Sequence, residues 1–359
     1  VRTMLPDTIV TKVTPLPEVA ADALSVLNQR WQDPQTFLGL PSGFLALDDL
    51  LCGFRRGTVT ILCGPPGVGK TAFVTSIIVR NCIWETLSEG QRILMLPLEM
   101  GAESWLLRIV SMWIKIPQAD LERGLPTKRL NLKTASFDPI ESDQLKAVWT
   151  EVEKVFEKIA SWPVDIWTAS DCNTFLIHEL LEEKRQEGVD YPLIILDYVE
   201  QLSDVGETES STAKVDFIIT QLANFAKQYD TAILAIWPMT KEGMKATRPR
   251  FSSLRQSAMP LYSADTILMM SSPQLHGMRM GETDVAQLPP KIRVDIRVDK
   301  ARISGGSLGT ASLWFYPPIG LFNDLEPLTS FEKDRYKRFK LAPKSQQVME
   351  EGGNGRTEV

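Results

Sequence analysis

Cysteine and histidine are scarce: among 359 residues there are four cysteines and two histidines, and Cys52, Cys63, Cys82 and Cys172 show no paired C-x-x-C spacing. A structural zinc site or a disulfide framework is therefore not expected, and a reducing cytoplasmic setting fits. Long apolar runs are also missing. The longest, at residues 59–63 and 193–196, have the length of strands, far short of the roughly 18–20 residues needed to cross a bilayer. No short apolar segment with a basic flank opens the sequence, so neither a secretion signal nor a membrane partner is expected. Nor is there an excess of positive charge: 39 basic residues face 45 acidic ones, a net −6. Such a surface repels a phosphate polymer as a whole, so any nucleic-acid contact must be local. What is present is ordinary globular composition, 43% hydrophobic and 23% charged. That excludes wholesale disorder and allows one large or two ordinary domains.

Residues 1–36 hold four prolines and a single amphipathic pattern, with Val19, Ala23, Leu24, Leu27 and Trp31 on one side; this reads as an N-terminal arm with a linker-type helix. From 37 to 326, short β-rich apolar runs alternate with helical periods. That pattern predicts an α/β domain built on a mostly parallel sheet. Strands are expected at 58–63, 92–98, 164–168, 193–197, 232–237 and 266–270, each apolar enough to be covered on both faces. Three helical stripes are expected to face the core: Trp105, Ile109, Met112 and Ile116; Leu145, Val148, Val152, Val155 and Ile159; Val215, Ile218, Leu222, Phe225 and Tyr229. Residues 292–299 alternate strictly between apolar and charged, which predicts a half-exposed antiparallel strand toward the C-terminus. From 327 to 359 the chain reads as a charged, mobile tail, with six Lys/Arg against two acids in residues 332–344.

The chemistry centres on Gly64-Pro65-Pro66-Gly67-Val68-Gly69-Lys70-Thr71. It satisfies the P-loop pattern G-x-x-x-x-G-K-[ST] and sits in the required context, after a strand pattern and before a helical one. Glycines there let successive backbone N–H groups turn toward phosphate oxygens, and the following helix adds its positive end. Lys70 is expected on the β/γ-phosphates and the Thr71 hydroxyl on Mg²⁺. Asp197 ends an apolar strand and is the expected acidic partner of the metal, although an Asp in that place also forms turns. Glu99 ends a second such strand. By spacing alone it reads equally as a carboxylate that orients water or as a helix-initiating acid.

These residues resemble a family. Gly39-Leu40-Pro41-Ser42-Gly43-Phe44 with Leu47-Asp48, then the P-loop, Leu98-Glu99-Met100, Leu196-Asp197-Tyr198, Ser253–Ser257, Ala264-Asp265 and Asp299-Lys300-Ala301-Arg302 together resemble the C-terminal ATPase domain of bacterial and phage replicative DNA helicases, the DnaB family. The resemblance implies a RecA-like P-loop NTPase fold, a homo-oligomeric, hexameric ring, and ATP bound with Mg²⁺ between neighbours. It implies that Glu99 is the catalytic glutamate and that Arg302, with Lys300 beside it, reaches the neighbour's γ-phosphate. A trans arginine of this kind accelerates phosphoryl transfer by about 10³–10⁵.

Two features depart from the family. At the end of the next strand, where a polar sensor is usual, stands Ile236-Trp237-Pro238, and only about 36 residues precede the match where the family carries a primase-binding domain. Primase partnership is not carried over. Single-stranded DNA is expected to meet the basic stretch holding Lys241, Lys245, Arg248, Arg250 and Arg255 against the single acid Glu242. Its cations would grip phosphates without reading bases. The other loop, residues 203–214, is acidic with Asp204, Glu207 and Glu209 and is a poor phosphate binder. The expected activity is thus an ATP-dependent DNA motor with replication or loader proteins as further partners. The competing reading is a regulatory or loader ATPase that acts on a protein without unwinding DNA.

Overall fold

The computed structural model describes residues 15–32, 37–169, 171–204, 211–246, 249, 262–279, 289–302 and 306–341. The chain divides into two units, Val1–Thr36 and Phe37–Val359. In the first the described element is one helix, Leu16–Gln32. Among the described residues no helix is long and apolar enough to cross a membrane.

Among the described residues the second unit holds eleven strands: β1 Thr58–Cys63, β2 Gln91–Pro97, β3 Lys128–Asn131, β4 Ser136–Pro139, β5 Val164–Ile166, β6 Asp190–Asp197, β7 Ala232–Trp237, β8 Thr266–Ser271, β9 Ile292–Ala301, β10 Gly309–Tyr316 and β11 Leu321–Asp324. Nine form one sheet in the order β11-β10-β9-β8-β1-β7-β6-β2-β5, and β3 with β4 forms a separate hairpin. From β8 to β5 every pairing is parallel. From β8 to β11 every pairing is antiparallel. This is an α/β fold with a mostly parallel sheet and antiparallel strands toward the C-terminus.

Burial explains the division. The central strands are covered on both faces, as their continuous apolar content requires. One face of β7, with Leu234 and Ile236, packs with the helix Lys70–Trp84 through Phe73, Val74 and Ile77. The other face, with Ile233, Ala235 and Trp237, packs with the helix Ser211–Gln228 through Val215, Ile218, Leu222 and Phe225. In β9, Ile292, Val294, Ile296 and Val298 are buried while Arg293 is exposed. The alternation is that of a sheet with one wet face.

The expected tail is corrected over its first part. Ser330–Arg338 is a helix opened by a capping box between Thr329 and Glu332. Tyr336 is fully buried, stacks between Phe37 and Trp84, and donates its hydroxyl to Asp48 Oδ2 at 2.9 Å. Phe339 and Leu341 are buried after it. Tyr336, Phe339 and Leu341 anchor the segment, while Lys333, Lys337 and Arg338 are exposed. Residues 342–359 lie outside the described residues.

Candidate active site

Ligands of open α/β sheets sit beyond the carboxyl ends of the strands, and here β1, β2, β6 and β7 end around one cleft of about 1010 Å³. β1 runs into the P-loop, which enters the helix Lys70–Trp84 at Gly69. Gly69 has φ +92°, and a Cβ there would lie 2.7 Å from the Phe315 ring. The position demands glycine twice over, for its torsion and for its space. Lys70 Nζ lies back over the loop and donates to the carbonyls of Gly64 at 2.9 Å and Pro65 at 3.4 Å. Thr71 opens the same helix and lines the cleft.

Asp197 and Glu99 reach the cleft from adjacent strands. β2 and β6 pair in register with Pro97 opposite Asp197, and the backbone N–H groups of Leu98 and Glu99 donate to the Asp197 carbonyl at 2.7 and 3.3 Å. Asp197 is 3% exposed. Burial pushes its carboxyl above the usual range; a hydrogen bond with Thr71 opposes this, the Glu99 charge adds to it, and the cations Lys70 and Arg108 oppose it. Glu99 is exposed within the cleft. The two carboxylates, the ammonium and the hydroxyl predicted from the motifs therefore meet at one place.

Arg108 completes this cluster and was not expected. It projects into the cleft from the helix Ala102–Ile114. Burial lowers its affinity for a proton, and the charges of Asp197 and Glu99 restore it. The helix reads as a core stripe, yet Arg108 interrupts it three residues after the buried Trp105. A cation flanked by apolar core positions, on the helix that begins beside Glu99, is the signal that finds it.

Lys300 and Arg302 lie elsewhere. β9 runs antiparallel to β8, so its end, Ala301, pairs with Thr266 at the start of β8. Asp265 in turn bonds Val59 at the start of β1, with backbone N–H to carbonyl at 2.9 Å and the Val59 N–H to Asp265 Oδ2 at 2.9 Å. Lys300 Nζ donates to the Ala264 carbonyl at 2.5 Å, and the Arg302 N–H to the Asp265 carbonyl at 2.9 Å. Burial lowers Lys300 to about 8, helped by the Arg302 charge and opposed by Asp265. From Val59 to Gly64 is the length of β1, roughly 16 Å at about 3.3 Å per residue. Both cations thus stand at the ends of the strands opposite their own P-loop, with Arg302 exposed.

Trp237 ends β7 beside Cys63, its register partner on β1. It is fully buried on the face of the sheet away from the P-loop helix, and its indole N–H has no partner among the described residues. Lys241 and Lys245 bound a short helix whose N-cap, Thr240, accepts from the Gly243 N–H at 3.0 Å. Arg248, Arg250 and Arg255, Ser253–Ser257, and Glu207 and Glu209 lie outside the described residues. Asp204 has a structural partner: its Oδ1 accepts from the Thr174 N–H at 2.7 Å and from the Thr174 hydroxyl.

The family profile of the DnaB-like helicase C-terminal domain matches residues 39–324. The replicative DNA helicase DnaB of Helicobacter pylori is 22% identical over 282 residues, covering 77% of this chain and 53% of that protein. That of Rickettsia conorii is 22% identical over 327 residues, covering 86% and 62%. The chain thus spans a little over half of these curated relatives. Among solved structures, an ATPase domain superposes with TM-score 0.69 at 20% identity, covering 85% of this chain and 98% of that chain. A DnaB-like replicative helicase, described with its interactions with primase, superposes with TM-score 0.67 at 19% identity, covering 88% and 68%.

Proposed function

Since the chain belongs to the family of the DnaB-like helicase C-terminal domain, we propose that it is an ATP-hydrolysing, ring-forming motor that moves on single-stranded DNA. The observation that carries this reading is the split of the charged groups: Lys70, Thr71, Glu99, Arg108 and Asp197 share one cleft, while Lys300 and Arg302 stand at the opposite ends of the strands. A subunit so built supplies half of a site at each end of its strands, and head-to-tail association into a ring completes every site.

Within the cleft each side chain has a task. The P-loop N–H groups and the Lys70 ammonium hold the β- and γ-phosphates. Glu99, exposed to the cleft solvent, accepts the proton of the attacking water and orients it. Arg108 neutralises γ-oxygens from the same chain, and the neighbour's Arg302, beside Lys300, does so from the other side as charge spreads in the transition state. Thr71 and Asp197 suit Mg²⁺: both are oxygen donors, they are adjacent, and burial together with the Glu99 charge disfavours the Asp197 charge that a cation would stabilise. Mg²⁺ held there would supply charge neutralisation on the phosphates. Lys241, Lys245, Arg248 and Arg250 hold the DNA backbone, and replication or loader proteins are the further partners.

The test is complementation. Lys70→Ala and Arg302→Ala are each expected to abolish ATP turnover, and an equal mixture to regain up to about a quarter of the sites, the fraction of interfaces that randomly unite two intact halves. No recovery, with a fully active lone wild-type subunit, sinks the reading. The buried Trp237 in place of a polar sensor favours a second reading, a regulatory or loader ATPase without unwinding. That one is correct if single-stranded DNA leaves turnover unchanged and forked duplexes stay paired.

A further inference from the structure

The cleft is larger than a triphosphate requires. About 1010 Å³ stands at the top of the range of roughly 300–1000 Å³ for small-molecule sites, and the volume runs from the P-loop to the β3–β4 hairpin. That end is walled by Pro117, Lys128, Phe137, Pro317, Pro318 and Ile319. Its character is largely apolar and aromatic, with the cation Lys128 and, beside Pro117, the polar Gln118 and the acid Asp120.

The hairpin is held firmly enough to act as a wall. Leu130 is buried against Tyr316 and Ile319, and its N–H donates to the Lys115 carbonyl at 2.8 Å. Arg129 pairs with Glu151 at 2.5 Å on the opposite side. Alternation along the strands then decides which side chains meet the cleft. Leu130 faces Phe137 across the hairpin and Lys128 lies two residues from Leu130, so all three share the face turned toward Tyr316 and Ile319. Lys128 Nζ sits 4.8 Å from the centroid of the Phe137 ring. Phe137 is half-buried and Lys128 exposed, so both are open to a ligand.

We propose that this hairpin is the nucleobase clamp of the cleft: the base of the bound nucleoside triphosphate lies between the Phe137 ring and the Pro317–Pro318 step, and Lys128 donates to an acceptor on the base. The proposal rests on the nucleotide site described above and deepens it. An aromatic face takes any base, because every base presents a π-surface. A cation poised over that aromatic adds attraction to the electron-rich nitrogens and oxygens of the base edge. Phe137 and Lys128 therefore position the nucleotide without touching the reacting atoms.

Binding of ATP and of inorganic tripolyphosphate, each with Mg²⁺, to the full chain separates the base from the phosphates. Wild type is expected to bind both. Phe137→Ala is expected to weaken ATP about tenfold or more, in line with loss of one base–aromatic contact, while tripolyphosphate binding stays within about twofold. Phe137→Tyr restores ATP binding, and Lys128→Ala gives a smaller loss confined to ATP. In turnover the loss is in KM, with kcat unchanged. Equal ATP affinity for Phe137→Ala and wild type overturns the proposal, as does a parallel loss of both ligands. Failure of wild type to bind either ligand refutes instead the nucleotide site on which the proposal rests.

Discussion

Replacing Gly69 by alanine tests the geometry of the phosphate loop most directly, because two separable costs are built into that position. The first is torsional: φ is +92°, a region that costs a residue with a Cβ about 1–2 kcal/mol. The second is steric. The added Cβ would lie 2.7 Å from Phe315 Cζ, and that ring cannot yield freely, since it stacks on Phe322 at 4.4 Å between centroids. Overpacking of this kind costs about 1–3 kcal/mol, so Gly69→Ala is expected to lose about 2–5 kcal/mol in all. Gly67 isolates the torsional part. Its φ is +76° but nothing lies within 4 Å of a Cβ built there, so Gly67→Ala is expected to lose only about 1–2 kcal/mol. Denaturant unfolding of nucleotide-free protein measures both, and a double-mutant cycle with Phe315→Leu recovers the steric part as a coupling energy. Equal losses for the two glycine variants, or no relief from Phe315→Leu, would show that the loop does not pack on β10 as described.

Arg108→Ala is expected to lower kcat about 100-fold, the usual cost of removing a charge-stabilising donor, with ATP affinity changed far less; steady-state turnover with equilibrium binding decides, and an unchanged kcat refutes the role. Lys300, lowered by burial to about 8, is charged below that pH and neutral above it. Turnover is therefore expected to fall as pH rises through about 8, and Lys300→Arg, which keeps its charge, is expected to remove that limb from the pH–rate profile. Burial raises Asp48 from 3.8 to about 7, opposed by bonds from Ser42, Tyr336 and Gly43. The folded state thus holds this proton more tightly than the unfolded chain, so stability from this group is full below 3.8 and is lost as pH rises through about 7. Thermal unfolding across that window should show Tyr336→Phe losing more at pH 8 than at pH 5, because the carboxylate then lacks a donor; equal losses at both values contradict this.

Much of the site was legible because its signals are local. A strand buried on both faces must be apolar along its length, so β1, β6 and β7 are visible in composition alone, and the P-loop is a contiguous string whose glycines answer to its own torsions. β10, β11 and the β3–β4 hairpin went unread. β3, β4 and β11 are only four residues each and carry charge, and what keeps them and the uncharged β10 as strands is pairing of β10 with β9 and β11, or packing of Leu130 on Tyr316 and Ile319. The segment after Leu328 was misread for a related reason: its charge dominates composition, while its docking is anchored by Tyr336, Phe339 and Leu341.

Composition, periodicity and one motif therefore determined the α/β class, the central strands and the phosphate-binding loop, since each is a property of neighbours along the chain. Only the tertiary structure decided that Glu99, Arg108 and Asp197 face Lys70 and Thr71, and that Lys300 and Arg302 stand away from them. Those placements follow from strand order and direction across the sheet. Pairings between segments distant along the chain, such as Thr60 with Thr266, establish that order, and no local pattern encodes it.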